Sequence, residues 1–375
     1  MMIFWRTIFQ NGPAVAWSRG LPATVAPPEI PRDLPTLTAL RGIAALTVLI
    51  FHINDGFRGY LAVDLFFLLS GFVLMHVYGR MAVTRRGYLR FLQIRLARIY
   101  PIHLLTLLLL LPMLDTRPDF SLGALINSLL LLQSPWGSAS WNYGAWSISA
   151  EWHAYLLFPL LAAGYCNRSN KSLLLTLLAC GVATIMLYQV AGSGNVTNSP
   201  VVLLRCLPEF VAGMTLYCLW QRGVFHWLGH DAAFLIVVLA LVAAETAGAP
   251  EILVLICLAL LLLCSAGNRG YFARGLNSPM PQYLGYISYS LYMVQMVATV
   301  VSLQLFPKES AGYDLLFVGL SFALAAVISP TVEYPARDWL KRLAYRGMTS
   351  RLAEASPVLV PAHQRSGDGA NTSLL

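Results

Sequence analysis

The chain has 375 residues, of which 57% are hydrophobic and 11% are charged, and its mean hydropathy is +0.64. These values exclude an ordinary soluble domain, in which about 25% of residues are charged. The formal net charge of +8 is spread over several loops without a recognition motif, so it does not indicate a nucleic-acid partner. The composition therefore predicts an integral membrane protein in contact with lipid.

Residues 1–35 contain many prolines and no apolar core with a cleavage site, so they are predicted to be a cytoplasmic N-terminal tail. About ten apolar segments follow, and they approach the ~20 residues with which a helix crosses a bilayer. They predict an all-α, polytopic transmembrane helical bundle within residues 36–340. The predicted spans are Thr38–Phe57, Leu61–Tyr78, Ile99–Leu114, Ile148–Tyr165, Lys171–Ala191, Val201–Trp220, Ala232–Ala247, Glu251–Ala266, Tyr286–Leu305 and Asp314–Pro330. A further run, Leu122–Leu132, is too short to span and is predicted to be interfacial or re-entrant.

The loop between the second and third spans has the densest cluster of basic residues. These are Arg80, Arg85, Arg86, Arg90, Arg95 and Arg98. Short loops rich in lysine and arginine face the cytoplasm, so this loop is predicted to be cytoplasmic. With an even number of spans, both termini are then cytoplasmic. The tail, residues 341–375, is basic and is predicted to be disordered.

The six cysteines lie mostly inside the predicted spans and show no CxxC pairing. This pattern indicates neither a disulfide framework nor a metal site.

Ionisable residues inside a membrane span are candidates for function because they are costly to bury there. Arg41 and His52 are eleven residues apart in the first span, so on a helix they share one face about 16 Å apart. Asp64 lies about one turn into the second span, at a depth similar to that of His52. We expect this carboxylate to lie beside the imidazole, where it would raise the basicity of His52 for proton abstraction.

Seven segments, taken together, resemble one known family. They are LTALRGIAALTVLIFH (Leu37–His52), GYLAVDLFFLLSGFVL (Gly59–Leu74), RLARIYP (Arg95–Pro101), WSISAEW (Trp146–Trp152), RCLPEFVAG (Arg205–Gly213), LGYISYSLYMVQ (Leu284–Gln295) and VEYPAR (Val332–Arg337). In this order the chain resembles acyltransferase family 3, from about residue 36 to residue 340. One departure is Gln295, which stands where many members have histidine.

The resemblance implies a bacterial inner-membrane O-acyltransferase. Such an enzyme takes an acyl group, usually acetyl, from acyl-CoA on the cytoplasmic side. It transfers the group to a hydroxyl of a cell-surface or exported carbohydrate or glycolipid, such as an exopolysaccharide or lipopolysaccharide. Arg41, Arg95 and Arg98 are predicted to bind the phosphate groups of coenzyme A. The alternative is that these arginines only follow the positive-inside rule and contact lipid headgroups.

His52 is the predicted general base for direct attack of the acceptor hydroxyl on the thioester, and a transient acyl-imidazole is the alternative. Glu151 is predicted to be a second catalytic carboxylate. His52, Asp64 and Glu151 are expected to converge on one cavity that opens to the outer face and connects to the arginine-lined mouth.

Four further residues are predicted to bind the acceptor. They are Trp146, Ser147, Arg205 and Glu209. Arg205 and Glu209 are spaced i, i+4 on one helix. The alternative to a role in binding is therefore that they form a structural ion pair and neutralise one another.

A bundle of ten spans with intramembrane charges also suits a secondary transporter of a polar or anionic solute. Against this alternative, the charges lie mainly in the first four spans, and the two halves of the chain share no pattern.

Overall fold

The computed structural model describes residues 34–54, 56–81, 84–113, 121–136, 140–192, 194–197, 201–267 and 269–355, with side chains to residue 344. Within these residues all regular structure is helical. The α-helices are α1 (Pro35–Phe51), α2 (Ala62–Tyr78), α3 (Arg85–Leu110), α4 (Leu122–Leu129), α5 (Gln133–Trp136), α6 (Ala145–Ala162), α7 (Asn170–Ala191), α8 (Val202–Gln221), α9 (Asp231–Thr246), α10 (Glu251–Gly267), α11 (Tyr271–Leu276), α12 (Pro279–Leu305), α13 (Ala311–Ile328) and α14 (Tyr334–Ala355). This confirms the predicted all-α fold.

In the part of the chain that the structure describes, six helical stretches are long and apolar enough to cross a membrane. They are Gly59–Tyr78, Arg85–Leu110, Asn170–Ala191, Val202–Gln221, Pro279–Leu305 and Ala311–Ala344. The four other predicted spans overlap the helices α1, α6, α9 and α10, which are not among these six stretches. The protein is thus a multi-pass membrane protein, while the count of ten spans and the sidedness of the termini remain predictions.

Capping residues explain where several helices begin and end. Ser169 accepts a hydrogen bond from the amide of Ser172 before α7, and Gly192 ends that helix with a φ of 73°. Thr84 caps α3 through the amide of Gly87 at 3.1 Å. Helix α3 therefore begins fourteen residues before the predicted span at Ile99, because its first half is helical but too polar to be recognised as a span.

The segment after α3 does not span a membrane. Helix α4 has eight residues and is about 12 Å long. The chain then turns at Leu131, whose φ is 58°, and continues into α5. Side chains supply hydrogen bonds to backbone carbonyls around this turn. Ser149 Oγ donates to the Leu131 carbonyl at 2.7 Å, and Ser134 Oγ donates to the Trp146 carbonyl at 2.6 Å. Irregular backbone at membrane depth requires such partners, so this geometry agrees with a re-entrant segment.

Two helix pairs form the closest contacts of the bundle. Helix α1 packs on α12, and α2 packs on α8. At the second contact Gly71 and Gly213 face the opposite backbone. A Cβ atom added at Gly71 would lie 1.9 Å from the Phe210 carbonyl oxygen, and one at Gly213 would lie 2.1 Å from the Leu68 carbonyl oxygen. Small residues at such contacts let two membrane helices approach closely. This contact fixes the polar residues of α2 and α8 side by side.

We expect Gly71→Ala and Gly213→Ala each to destabilise the protein by roughly 1–3 kcal/mol, because the added methyl group meets backbone that cannot move aside. The measurement is thermal unfolding of the purified protein in detergent. Gly181→Ala on α7 is the matched control, since a Cβ atom there has no neighbour within 4 Å. Equal unfolding temperatures for all three variants would contradict the described α2–α8 contact.

The structure corrects two expectations. Cys166 and Cys218 form a disulfide between the turn after α6 and the end of α8, although no disulfide was predicted. Their separation of 52 residues gives no spacing motif from which to recognise the pair. The tail predicted to be disordered from residue 341 is instead helical as far as Ala355, because α14 continues from α13 through a π-helical turn, Ser329–Glu333. Residues 356–375 lie outside the described residues.

Candidate active site

A buried ion pair joins α2 to α8 near the predicted outer end of the bundle. Arg205 donates from Nε to Asp64 Oδ1 at 2.6 Å and from Nη2 to Asp64 Oδ2 at 2.7 Å, and both side chains are fully buried. Arg205 also donates from Nη2 to the Tyr60 carbonyl and from Nη1 to the Val196 carbonyl, each at 3.1 Å. A buried pair is stable only when its remaining donors are satisfied in this way. Arg205 thereby ties two loops and two helices together.

Trp146 and Glu209 complete this group of side chains. The Arg205 guanidinium carbon lies 5.2 Å from the Trp146 ring centroid, as in a cation–π contact. Glu209 follows Arg205 by one helical turn and lies within electrostatic range of Asp64, Arg205 and Tyr188. We call these five residues the Arg205 cluster. Asp64 binds the Nε–Nη2 edge of the guanidinium and two carbonyls take other N–H groups, so the described hydrogen bonds of Arg205 do not include the alternative pairing with Glu209.

Two polar groups of the Arg205 cluster have no hydrogen-bond partner among the described residues. Both carboxylate oxygens of Glu209 and the hydroxyl of Tyr188 are buried without one in good geometry, although Glu209 lies close to Asp64 and to Tyr188. Unsatisfied buried polar groups are costly, so they require an explanation in a native structure. A bound molecule with hydroxyl groups is one that fits, since its hydroxyls can donate to a carboxylate and accept from a phenol.

A second polar group, which we call the Glu151 chain, crosses the middle of the bundle from α2 to α3. Ser70 and Tyr155 both donate their hydroxyl hydrogens to Glu151 Oε1. The Tyr155 hydroxyl accepts in turn from Arg95 Nη2 at 2.7 Å, and the Arg95 guanidinium lies 4.5 Å from the centroid of the Tyr155 ring. The Glu151 carboxylate is therefore coupled to an arginine through one phenol.

The three arginines predicted to bind phosphate occur together. Arg41 lies within electrostatic range of Arg98, Glu151, Tyr334 and Arg95. Arg95 and Arg98 are on adjacent turns of α3, and Arg41 reaches them from α1. Like charges at such proximity repel one another, so the group favours an anionic ligand.

His52 makes no described contact with either polar group. It is the first residue after α1, and its ring contacts Phe51 at 5.3 Å and Phe317 at 6.2 Å between centroids. Lys308 lies within electrostatic range. The expected pairing of Asp64 with His52 is not formed, because Asp64 is bound by Arg205.

Glu151 does not join His52 at an outer cavity either. It belongs to the Glu151 chain, six residues inside α6, and faces the arginines. The described contacts thus give His52, Asp64 and Glu151 different partners and do not join the three residues to one another. The position of a residue along its helix can be read from the sequence, but the direction in which its side chain faces depends on helix rotation, which that position does not specify.

Sequence reasoning missed several partners of the site. Ser147 Oγ and Tyr292 OH lie 2.8 Å apart, and the Tyr292 hydroxyl also donates to the Gly144 carbonyl at 3.1 Å. The other missed residues are Ser70, Tyr155 and Tyr188. Tyr155 had a usable signal, because it follows Glu151 by four residues on a helix. Within the described residues no three His, Cys, Asp or Glu side chains come together as metal ligands.

Comparisons with known proteins identify the family to which the chain is similar. The acyltransferase 3 family, described as an acyltransferase domain, matches residues 34–330. Acyltransferase MdmB from Streptomyces mycarofaciens is 30% identical over 313 residues, which cover 72% of this chain and 79% of that protein. Protein 2 in the picA locus of Rhizobium radiobacter is 30% identical over 177 residues, 40% of this chain and 91% of that protein.

O-acetyltransferase OatA from Staphylococcus aureus is 26% identical over 213 residues, covering 48% of this chain and 35% of that protein. No solved structure matches the chain. The family match covers most of the chain, including α1, α2, α3, α6 and α8, which supply the Arg205 cluster, the Glu151 chain and the arginines. The chain therefore belongs to acyltransferase family 3, and the protein is a multi-pass membrane acyltransferase.

Proposed function

We propose that the protein transfers an acyl group, most simply acetyl, from acyl-CoA to a hydroxyl group of a cell-surface or exported carbohydrate at the bacterial inner membrane. The acyltransferase family and the similarity to an O-acetyltransferase support the reaction class. They favour an enzyme over the transporter that we considered from the sequence. The donor, the acceptor and the membrane are parts of the proposal.

One observation supports acyl-CoA as the donor. Arg41, Arg95 and Arg98 gather at the end of the bundle that we predict to be cytoplasmic, where a soluble donor enters. Arginine stays charged and offers several fixed N–H donors, so three guanidinium groups suit the phosphate groups of coenzyme A. The Glu151 chain extends from Arg95 into the bundle and holds that arginine through Tyr155. In this arrangement Glu151 positions the donor site and is not itself a base.

His52 is the proposed base because its ring is available. It makes no side-chain hydrogen bond with the described residues, and it is half-buried between aromatic side chains. Asp64 and Glu151 already accept hydrogen bonds from fixed partners, which makes them poor proton acceptors for a substrate. His52 and Arg41 lie about 16 Å apart along one helix and the turn that follows it. A thioester on an extended arm can therefore approach His52 while its phosphate groups remain at the arginines.

In the proposed reaction the acceptor hydroxyl oxygen forms a bond to the thioester carbonyl carbon while His52 takes the hydroxyl proton. The carbon–sulfur bond then breaks, and the coenzyme A thiolate leaves and takes up the proton. In the alternative, the His52 imidazole attacks the thioester first and displaces the coenzyme A thiolate, which takes up the imidazole proton. The acceptor hydroxyl then attacks the acyl-imidazole, the carbon–nitrogen bond breaks, and the imidazole takes the hydroxyl proton. The second route divides the transfer into an inner and an outer step.

Of the residues that we predicted to bind the acceptor, Glu209 has the strongest support. Its two carboxylate oxygens make no hydrogen bond of good geometry with the described residues and are able to accept hydrogen bonds from sugar hydroxyls. Arg205 and Trp146 instead pack against each other. Ser147 is bonded to Tyr292 and to the Gly144 carbonyl. These three residues therefore shape the site around Glu209.

We expect membranes that contain the protein to transfer label from radiolabelled acetyl-CoA to glycan. The measurement is label in the extracted carbohydrate fraction, compared with membranes that contain equal amounts of the His52→Ala variant. Label trapped inside vesicles without transfer to glycan would support a transporter instead. Absence of both transfer and acetyl-CoA hydrolysis would overturn the proposed donor.

A further inference from the structure

The last described helix extends the site beyond the apolar part of the bundle. Helix α14 follows α13 through the π-helical turn, and it packs along α3. Helix α3 has 26 residues and is about 39 Å long, which exceeds the ~30 Å hydrocarbon thickness of a bilayer. The polar first half of α3 and the basic helix α14 therefore lie side by side at the end that we predict to be cytoplasmic.

Basic side chains from both helices face the same region. Lys341 on α14 lies within electrostatic range of Arg337 on the same helix and of Arg98 and Arg95 on α3. Arg41 in turn lies within range of Arg98 and Arg95. The cations of α14 are thus continuous with the three arginines of the proposed donor site.

Nearby carboxylates do not balance these charges. The carboxylates described within electrostatic range of members of this group of five cations are Glu151, Glu333 and Asp338. Glu333 is buried and accepts a hydrogen bond from Ser290 at 2.6 Å. The region keeps an excess of positive charge, which an anionic ligand would offset.

Two of these arginines have donors left over for such a ligand. Arg95 Nε is buried and has no hydrogen-bond partner among the described residues. The Arg337 guanidinium lies 4.1 Å from the centroid of the Tyr334 ring, which stacks in parallel on Tyr286 at 4.0 Å. Its Nε donates to Asp338 at 3.0 Å, while neither terminal nitrogen has a described partner. Arg337 is therefore held in a fixed orientation with both terminal nitrogens able to donate to phosphate oxygens.

We propose that Arg337 and Lys341 on α14 bind the phosphate groups of the nucleotide part of the acyl donor, so that α3 and α14 together form its binding groove. The inference rests on the proposed use of acyl-CoA and extends the donor site to a helix outside the apolar bundle. A donor with a phosphorylated nucleotide is long enough to place charge at α14 while its thioester lies inside the bundle. A lipid headgroup phosphate has the same chemistry, and the experiment separates the two.

The test compares two donors with the purified full-length protein in nanodiscs of neutral phosphatidylcholine. One donor is acetyl-CoA, and the other is acetyl-pantetheine, which has the same thioester but no nucleotide or phosphate. We expect Arg337→Ala and Lys341→Ala each to raise the KM for acetyl-CoA roughly 10-fold, and to leave kcat/KM for acetyl-pantetheine unchanged. The matched control is Arg342→Ala, because Arg342 neighbours Lys341 but is exposed. It should change neither value.

Each other outcome overturns the inference. An unchanged KM for acetyl-CoA in the double variant Arg337→Ala/Lys341→Ala shows that α14 does not contact the donor. Equal losses with both donors show a structural defect. An effect that occurs only in nanodiscs with anionic phosphatidylglycerol assigns these residues to lipid headgroups. If the wild-type protein neither binds nor uses acetyl-CoA, the proposed function fails, and this inference fails with it.

Discussion

Replacing His52 with alanine is expected to lower the turnover number of acyl transfer by roughly 100- to 10,000-fold, the usual contribution of a general base. Folding should be little affected, because the ring makes no described side-chain hydrogen bond and lies in the turn after α1. The measurement is the initial rate of acetyl transfer at saturating donor, together with the unfolding temperature of the same preparation.

His230→Ala is the matched control for this prediction, since His230 is an exposed histidine before α9. It should retain the wild-type rate. A His52→Ala variant with near-normal turnover would exclude His52 as base and as nucleophile. A variant that loses activity together with its unfolding temperature would show that the ring has a structural role.

The same variant separates the two proposed routes. Wild-type protein mixed with radiolabelled acetyl-CoA and no acceptor should retain label after denaturation if an acyl-imidazole forms at His52. Direct attack by the acceptor leaves no label on the protein. Label that persists in His52→Ala would place the acyl group on another residue.

The helices were predictable from the sequence where apolar content and end signals agree. The predicted span Lys171–Ala191 differs from α7 by one residue, because Ser169 and Gly192 mark its ends. The first span was predicted to continue to Phe57, whereas α1 ends at Phe51. The described chain between α1 and α2 is an irregular loop with a short 3₁₀ turn. The start of this loop was missed because apolar content alone does not show where a helix ends.

The residues of the site were predictable individually, but their partners were not. Asp64 and Arg205 were both selected because charged side chains inside spans are costly. Their separation of 141 residues carries no information about contact, and only the packing of α2 on α8 brings them together. Asp64 was predicted to pair with His52 because the two residues were expected at a similar depth. Arg205 instead offers the carboxylate two charge-assisted hydrogen bonds, which are stronger than neutral ones.

The Glu151 chain illustrates a second limit of sequence reasoning. Glu151 was placed at the outer end of its span with His52, because α6 begins on that side. One and a half turns of helix lower it by about 9 Å, which is enough to bring it opposite Ser70 in the middle of α2. Charged residues near the middle of a span therefore cannot be assigned to one face of the membrane from topology alone.

Replacing Arg205 with methionine is expected to destabilise the protein by roughly 3–5 kcal/mol, because it leaves Asp64 fully buried with both oxygens unpaired. It also leaves the carbonyls of Tyr60 and Val196 without their donor. Glu209 adds a second carboxylate without a cation beside it. The measurement is the unfolding temperature in detergent and the amount of folded protein in membranes.

The double variant Asp64→Leu/Arg205→Met should recover part of this loss, since it removes the unpaired Asp64 carboxylate and leaves the two carbonyls and the Glu209 carboxylate without the arginine. The matched control is Arg58→Ala. Arg58 forms a similar set of bonds, to Glu245 and to the carbonyls of Ala244 and Ala249, but its side chain is 22% exposed. Water can replace those bonds, so we expect a loss of only about 1 kcal/mol. If Arg205→Met and Arg58→Ala cost the same, or if the double variant is no more stable than Arg205→Met, then the buried pair does not hold α2 against α8, and the Arg205 cluster has to be explained by its ligand alone.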